Sequence, residues 1–442
     1  MASPFLHDAG TDTMTVRPAK RVQGRVQVPG SKSLTNRYLL LAGMAEGRSE
    51  LKNPLASEDT HYMREALTAV GVTVDDADET SWKVRGRRTW QAPGGPIFIG
   101  NAGTAMRFLA PALALRDFES EIGGNARMAV RPIEDLVSGL RQLHGQVDYL
   151  GTPGCPPLRL RGPLTGHVIE IRGDSSSQYL SGLLMALPQV VPPPEIHLTS
   201  ELVSRTYVSM TLACLKVFGV NWEILGDFEG FRLASAKDYQ PVSIAIEPDA
   251  STASYWFALP LMVGGRITVP GVPQISQQGD FGLLRIFAEM GADVALESGD
   301  VTVAARAPLR GVDVDMNTMS DVAPTLAVVA TMAQGPTTIR NVGNMRIKEC
   351  DRIQTLQTAF DALGLKMESG PDWMKVYPGK PQTNALLDPQ EDHRMAMVFA
   401  LLGLTFGGIQ IRDSQCVAKT YPGFWDDMAA VIGQTAGEER LG

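Results

Sequence analysis

The sequence predicts an α/β fold made of six copies of one β-α-β-α-β-β unit, and three observations carry that prediction. Six stretches share one grammar: a short alternating aliphatic strand, a turn of small, polar or acidic residues, then an apolar helix. Their turns fall near residues 31, 101, 175, 250, 320 and 392, about 70 to 75 residues apart, the mark of an internal repeat. Between them a second pattern recurs: a strand, a polar loop, and a helix that ends near a glycine followed by an aliphatic residue.

In chain order the six strand-turn-helix starts are RVQVPGSKSLTNRYLLL, PIFIGNAGTAMRFLAPAL, VIEIRGDSSSQYLSGLLM, SIAIEPDASTASYWFAL, VDVDMNTMSDVAPTLAVV and LLDPQEDHRMAMVFALL. The second halves include SELKNPLASEDTHYMREALTAVGV, PEIHLTSELVSRTYVSMTLACLKVFGV and TTIRNVGNMRIKECDRIQTLQTAFDALGL. Their Gly71, Gly219 and Gly364 read as helix C-caps, where a left-handed residue closes the last turn. No unit carries a core of its own, which favours packing as two groups of three. Which three belong together the sequence leaves open. The first residues, MASPFLHDAGTDTM, have neither a cationic stretch followed by an apolar one nor arginines, so residues 1–14 read as a short disordered extension and not as a leader.

Composition narrows the function. The chain has 442 residues, 44% hydrophobic and 20% charged, as expected of an ordinary globular protein. A net charge of -8 argues against a general nucleic-acid or membrane binder while leaving room for a local basic pocket. Cys155, Cys214, Cys350 and Cys416 stand far apart with no CxxC pair, which fits a reducing cytoplasm and excludes a disulfide framework or a zinc knuckle. The six histidines show no HExxH spacing, and no apolar run approaches the roughly 18 residues that span a bilayer. No metal and no cofactor is expected. GSKS at 30–33 lacks the earlier glycine of a P-loop, no GxGxxG follows the first strand, and there is no GxSxG elbow.

The turns themselves carry the chemistry. A helix start leaves backbone N–H groups without intrahelical partners, and its dipole favours an anion there. Plain capping by Ser, Thr, Asn and Asp accounts for the polar residues in any one turn. It does not account for the cations. Lys32, Arg37, Arg107, Arg131, Arg346, Lys348, Arg352, Arg394 and Lys419 lie in or beside these turns, although a dipole disfavours positive charge there. Repeated placement of this kind points to an anionic small-molecule substrate. Acids stand among the bases: Asp321, Glu349, Asp351 and Asp392. Each could simply balance a neighbouring arginine; a carboxylate facing an anion site could also act as a general base.

Eight ordered motifs, PGSKSLTNR, GNAGTAMR, RPIEDL, SSSQYL, EPDASTASY, RIKECDR, EDHRMA and CVAKTYP, together resemble the 5-enolpyruvylshikimate-3-phosphate synthase family of enolpyruvyl transferases from about residue 15 to 430. The resemblance implies two similar domains of three repeats each, 31–246 and 15–30 with 247–442, joined by two crossing strands, with the active site in the interdomain cleft. It also implies transfer of the enolpyruvyl group of phosphoenolpyruvate to the 5-hydroxyl of shikimate 3-phosphate, the sixth step of the shikimate pathway. Glyphosate would inhibit, and the protein would be a cytoplasmic monomer binding neither nucleic acid nor membrane.

Carried over residue by residue, the resemblance assigns Ser33 and Arg37 to the shikimate carboxylate and Ser176, Ser177, Ser204 and Lys348 to its 3-phosphate. Gln178 would lie against the ring and reach phosphoenolpyruvate as well, with Asn344 nearby. Arg352 and Arg394 would clamp the phosphoenolpyruvate carboxylate by bidentate bonds. Lys32, Arg131, Lys419 and the Gly103 amide would hold its phosphate, with Asn101 and Thr104 lining that subsite. Asp321 would take the proton of the 5-hydroxyl, Glu349 would exchange a proton at C3 of the enol, and Lys32 would combine charge neutralisation with proton traffic; Lys32 and Asp321 would both touch shikimate 3-phosphate. In one departure, Phe108 follows the arginine of GNAGTAMR where family members with GNAGTAMRPL have proline. A related family, the enolpyruvyl transferase acting on UDP-N-acetylglucosamine, carries a cysteine before its arginine–proline pair. Here that stretch reads GGNARMAVRPIE, without one. A catalytically dead anion-binding module is opposed by the joint presence of Lys32, Asp321 and Glu349.

Overall fold

The computed structural model describes residues 3–235, 238–306 and 308–438. Among these residues, twelve α-helices run in chain order as α1 (Lys32–Met44), α2 (Glu58–Ala69), α3 (Gly103–Ala114), α4 (Glu134–Gln142), α5 (Ser177–Ala186), α6 (Arg205–Val217), α7 (Ala250–Val263), α8 (Leu283–Met290), α9 (Ala323–Ala330), α10 (Arg352–Leu363), α11 (His393–Phe406) and α12 (Phe424–Glu438). The strands form six four-stranded sheets, and the chain divides into two compact units, Gly30–Glu247 and Met1–Pro29 with Pro248–Gly442.

Every sheet repeats one topology. In Val168–Ile171, Glu195–Leu198, Gly230–Ser235 and Asn221–Leu225, the first two strands are parallel and the rest antiparallel. A parallel pair needs a crossover, and α5 supplies it. The crossover helices differ from those of the second halves in a way the sequence encodes. Every residue of α3 and of α9 is buried, as a helix apolar on all sides must be. Helix α4, by contrast, buries only Leu136, Val137, Gly139 and Leu140. Three such repeats share a single apolar core in each unit, from Leu34 to Ile246 in one and from Phe5 to Val431 in the other. Helices α2, α6 and α10 end as expected: Gly71, Gly219 and Gly364 all have positive φ, 90°, 85° and 68°.

Two expectations need correction. The strand read in RVQV (25–28), ahead of α1, lies instead at Val22–Arg25 and pairs in parallel with Gly265–Val269, while Ser243–Ala245, ahead of α7, pairs in parallel with Gly47–Lys52. Alternation specifies a strand but not its partner. The second correction concerns residues 1–14, expected to be disordered. Phe5–Asp8 and Thr13–Val16 form an antiparallel hairpin whose second strand pairs with Ile409–Arg412. This hairpin supplies the last two strands of the sixth sheet. Phe5, Met14 and Val16 are buried in the core, and Phe5 meets the Trp425 ring edge-on at 5.0 Å between centroids. That apolar burial is worth roughly 2 kcal/mol per side chain, enough to order a short terminal segment.

Candidate active site

In the unit Gly30–Glu247, the starts of α1, α3, α5 and α6 carry the expected residues, and side-chain bonds tie them together. Ser31 caps α1 by accepting from the Leu34 amide at 3.4 Å, and Lys32 follows it. Lys32 Nζ lies 3.3 Å from Asp59 Oδ2, whose carboxylate is buried in the first turn of α2. Helix α3 begins differently. Its N-cap is Ala102, and no side chain caps it. Instead the Arg131 guanidinium lies against Gly103: a Cβ there would sit 2.7 Å from Nη2 and 2.8 Å from Nη1. Arg131 Nη1 donates to the Asn101 carbonyl and to Asn101 Oδ1 at 3.3 and 3.1 Å. Gln178 Nε2 donates to Thr104 Oγ1 at 3.4 Å, joining α5 to α3. Ser176 caps α5, with Ser177 behind it in the first turn. Buried Ser204 starts α6 in the left-handed conformation without a side-chain cap.

Arg37 is 2% exposed. Its Nε donates to Thr211 Oγ1 at 2.8 Å, Nη1 to the Ser33 carbonyl at 2.9 Å, and Nη2 to Ser181 Oγ at 3.4 Å and the Tyr207 carbonyl at 3.1 Å. Of a guanidinium's five N–H bonds, that leaves one on Nη1. Burial lowers its pKa to about 10, and no carboxylate pairs with it among the described residues.

The other unit is built on opposite lines. Here three acids and three cations form one knot. Arg352, 1% exposed, donates from Nε to Asp392 at 2.7 Å, from Nη2 to Glu349 at 2.8 Å and from Nη1 to Asp321 at 3.0 Å. Asp321 also accepts from Arg394 Nη2 at 3.1 Å and lies 3.5 Å from Lys348 Nζ. Burial by itself would raise the Asp321 carboxyl; Lys348, Arg394 and Arg352 overcome that and hold it well below the usual carboxylate range. Arg352 is shifted upward in spite of burial, because Asp392, Glu349 and Asp321 surround it. Asn344 stands on the short helix Gly343–Ile347, and Lys419 is buried at the end of Ser414–Lys419.

Two groups, Asp59 and Asp280, escaped sequence reasoning. Asp59 reads as an ordinary first-turn acid of α2. Asp392, one of the acids singled out among the bases, does two tasks, capping α11 through the Arg394 amide at 2.9 Å and gripping Arg352. Asp280, buried on Gly279–Gly282, accepts from Ser251 Oγ at 2.5 Å and is pushed up to about 6 by burial, with Asp321 adding to the shift. Nothing in QQGDFG marks it. No group of His, Cys, Asp and Glu suited to a metal ion occurs among the described residues, and no helix there is long and apolar enough to cross a membrane.

Two three-sheet units whose helix starts carry cations, hydroxyls and one buried carboxylate cluster define the enolpyruvyl transferase class of α/β proteins. The fold is similar to that of the enolpyruvyl transferase NikO from Streptomyces tendae (TM-score 0.71, 20% identity, 94% of this chain and 96% of that one). It is also similar to EPSP synthase from Acinetobacter baumannii (TM-score 0.79, 23% identity, 95% and 98%). In sequence, a 3-phosphoshikimate 1-carboxyvinyltransferase of Thiobacillus denitrificans is 43% identical over 420 residues, 93% of this chain and 97% of the relative. The family model for EPSP synthase (3-phosphoshikimate 1-carboxyvinyltransferase) matches residues 16–428. The chain belongs to the EPSP synthase family.

Proposed function

We infer that this chain transfers the enolpyruvyl group of phosphoenolpyruvate to the 5-hydroxyl of shikimate 3-phosphate and releases phosphate, in aromatic amino acid biosynthesis by way of chorismate. The observation that carries the site assignment is the Asp321 knot, a half-buried carboxylate ringed by Lys348, Arg352 and Arg394. A general base next to cations that can hold anionic substrates is the arrangement this reaction needs.

The chemistry runs in two stages. Asp321 accepts the 5-hydroxyl proton as that oxygen bonds to C2 of phosphoenolpyruvate, and C3 gains a proton, giving the tetrahedral intermediate. C3 then loses a proton and the C2–O bond to phosphate breaks. Glu349 and Lys32 divide the proton exchange at C3. Arg352 and Arg394 clamp the phosphoenolpyruvate carboxylate, while Lys32, Arg131, Lys419 and the Gly103 amide take its phosphate, with Asn101, Thr104 and Gln178 beside it. Ser33 and Arg37 take the shikimate carboxylate, for which the last Nη1 proton of Arg37 is available. Ser176, Ser177, Ser204 and Lys348 take the 3-phosphate, with Asn344 and Gln178 alongside. Support comes from the uncapped start of α3, which leaves its amides for an anion, and from Arg37 and Arg131, which form no ion pair among the described residues.

Substrate anions and Asp321 compete for the same arginines. As a carboxylate draws Arg352 and Arg394 away, Asp321 loses the partners that depress its pKa and becomes a stronger base. The enzyme acts as a cytoplasmic monomer, consistent with its four free thiols, and glyphosate competes with phosphoenolpyruvate.

The test is phosphate release. It should require both shikimate 3-phosphate and phosphoenolpyruvate, give nothing when UDP-N-acetylglucosamine replaces the former, and be inhibited by glyphosate competitively against phosphoenolpyruvate. Release with either substrate alone would overturn the reading.

A further inference from the structure

Arg37 poses a physical problem that its hydrogen bonds do not solve. A guanidinium nearly removed from water, with no carboxylate beside it, is an expensive group to keep charged. Its acceptors, Thr211, Ser181 and the carbonyls of Ser33 and Tyr207, are all neutral. They also lie around the edge of the guanidinium, which fixes its in-plane bonds but not its face. What lies against the guanidinium there is the ring of Phe108. Arg37 Cζ lies 5.0 Å from the centroid of that ring, and the ring is completely buried in the middle of α3. At this distance the negative face of an aromatic ring attracts a cation, and the attraction grows when both are out of water.

We propose that Phe108 is a positioning residue for substrate binding: its ring face holds the buried Arg37 guanidinium in the orientation that leaves one Nη1 proton for the carboxylate of shikimate 3-phosphate. The same helix presents Gly103 to Arg131 at its start, so α3 serves the phosphoenolpyruvate phosphate with its first turn and the shikimate carboxylate with a ring one turn further on. A neutral aliphatic side chain of similar size would fill the space without holding the cation. The proposal rests on the reading of Arg37 as the partner of that carboxylate.

The experiment replaces Phe108 by mono-, di- and trifluorophenylalanine, which drain charge from the ring face while nearly preserving its shape. Shikimate 3-phosphate affinity is measured by calorimetry, the phosphoenolpyruvate KM by phosphate release, and Tm by calorimetric melting. Affinity for shikimate 3-phosphate should fall stepwise with fluorination, by roughly tenfold across the series, while the phosphoenolpyruvate KM changes less than twofold. A ring that merely fills space gives a flat series whatever happens to Tm, and that result would overturn the proposal. Arg37→Lys separates the two levels of the argument. If it binds shikimate 3-phosphate as tightly as the native chain, the reading of Arg37 fails and the proposal with it. If it binds at least tenfold more weakly while the fluorinated series is flat, the proposal alone fails.

Discussion

Arg37 and Arg352 are buried to nearly the same degree in the two units, yet among the described residues one has no carboxylate partner and the other has three. The difference teaches how a site can be ready for anions in two ways. Around Arg37 and Arg131 the charge is left uncompensated and held by neutral groups, so an arriving anion meets no internal competitor. Around Arg352 the charge is neutralised in advance, so an arriving anion has to displace a carboxylate. On the proposed mechanism the displaced group, Asp321, is the one that then accepts a proton. Acid-poor surroundings suit binding; a balanced knot suits binding that switches on a base.

Breaking the knot at its base should have the largest effect. Asp321→Ala should lower kcat by roughly 10²-fold or more while shikimate 3-phosphate still binds; near-normal turnover would sink the assignment. Next comes the contrast between the two arginines. Arg352→Met takes the guanidinium away from Asp392, Glu349 and Asp321 and should cost about 3–5 kcal/mol of stability. Arg37→Met strands no carboxylate and should cost at most about 1 kcal/mol, even though shikimate 3-phosphate binding is lost. Equal losses of Tm in the two variants would erase the distinction.

A third measurement sharpens the electrostatics of the knot's neighbour. Burial lifts the Asp280 carboxyl from 3.8 to about 6, so between those values the folded chain keeps a proton that the unfolded chain has released. Stability is therefore lost as pH rises through that window and stays lower above it. The groups facing Asp280 are Ser251 and Asp249 from the start of α7, Asp321, and Arg394 of α11. Asp280→Asn removes the titration, so the native chain should lose up to about 3 kcal/mol relative to the variant between pH 4 and pH 7. Parallel Tm curves against pH would contradict this.

The smallest expected effect lies in the acid-poor site. Gly103→Ala puts a methyl group 2.7 Å from Arg131 Nη2, and the guanidinium, tethered only to Asn101, can yield. The phosphoenolpyruvate KM should rise several-fold, and inhibition by the longer glyphosate should weaken more. An equal change in both constants would refute the crowding argument.

Much of this was legible in the residues. The six strand-turn-helix starts and the cations beside them are local patterns, and local patterns survive in sequence. Partnership does not. Nothing in VQGR by itself says that Val22–Arg25 pairs with Gly265–Val269. TMTV is too short to announce that its partner is Ile409–Arg412, and so the hairpin read as disorder. The site divides in the same way. Arg352, Arg394 and Asp321 stand in recognisable turns, whereas Asp280 sits on the short helix Gly279–Gly282 just before α8, outside the six repeated turns. Phe108 stood out as a departure, but the guanidinium it supports comes from another helix.

The hairpin that closes the sixth sheet has a consequence for the order of synthesis. Gly30–Glu247 emerges from the ribosome as one uninterrupted stretch with its whole core in hand, and it can fold while the rest is being made. The strands made before it, Phe5–Asp8, Thr13–Val16 and Val22–Arg25, pair with Ile409–Arg412 and Gly265–Val269. These earlier-made segments thus wait for later-made ones, with a finished unit between them. Each waiting strand is only four residues long, too short to template the edge-to-edge association that long unpaired strands invite.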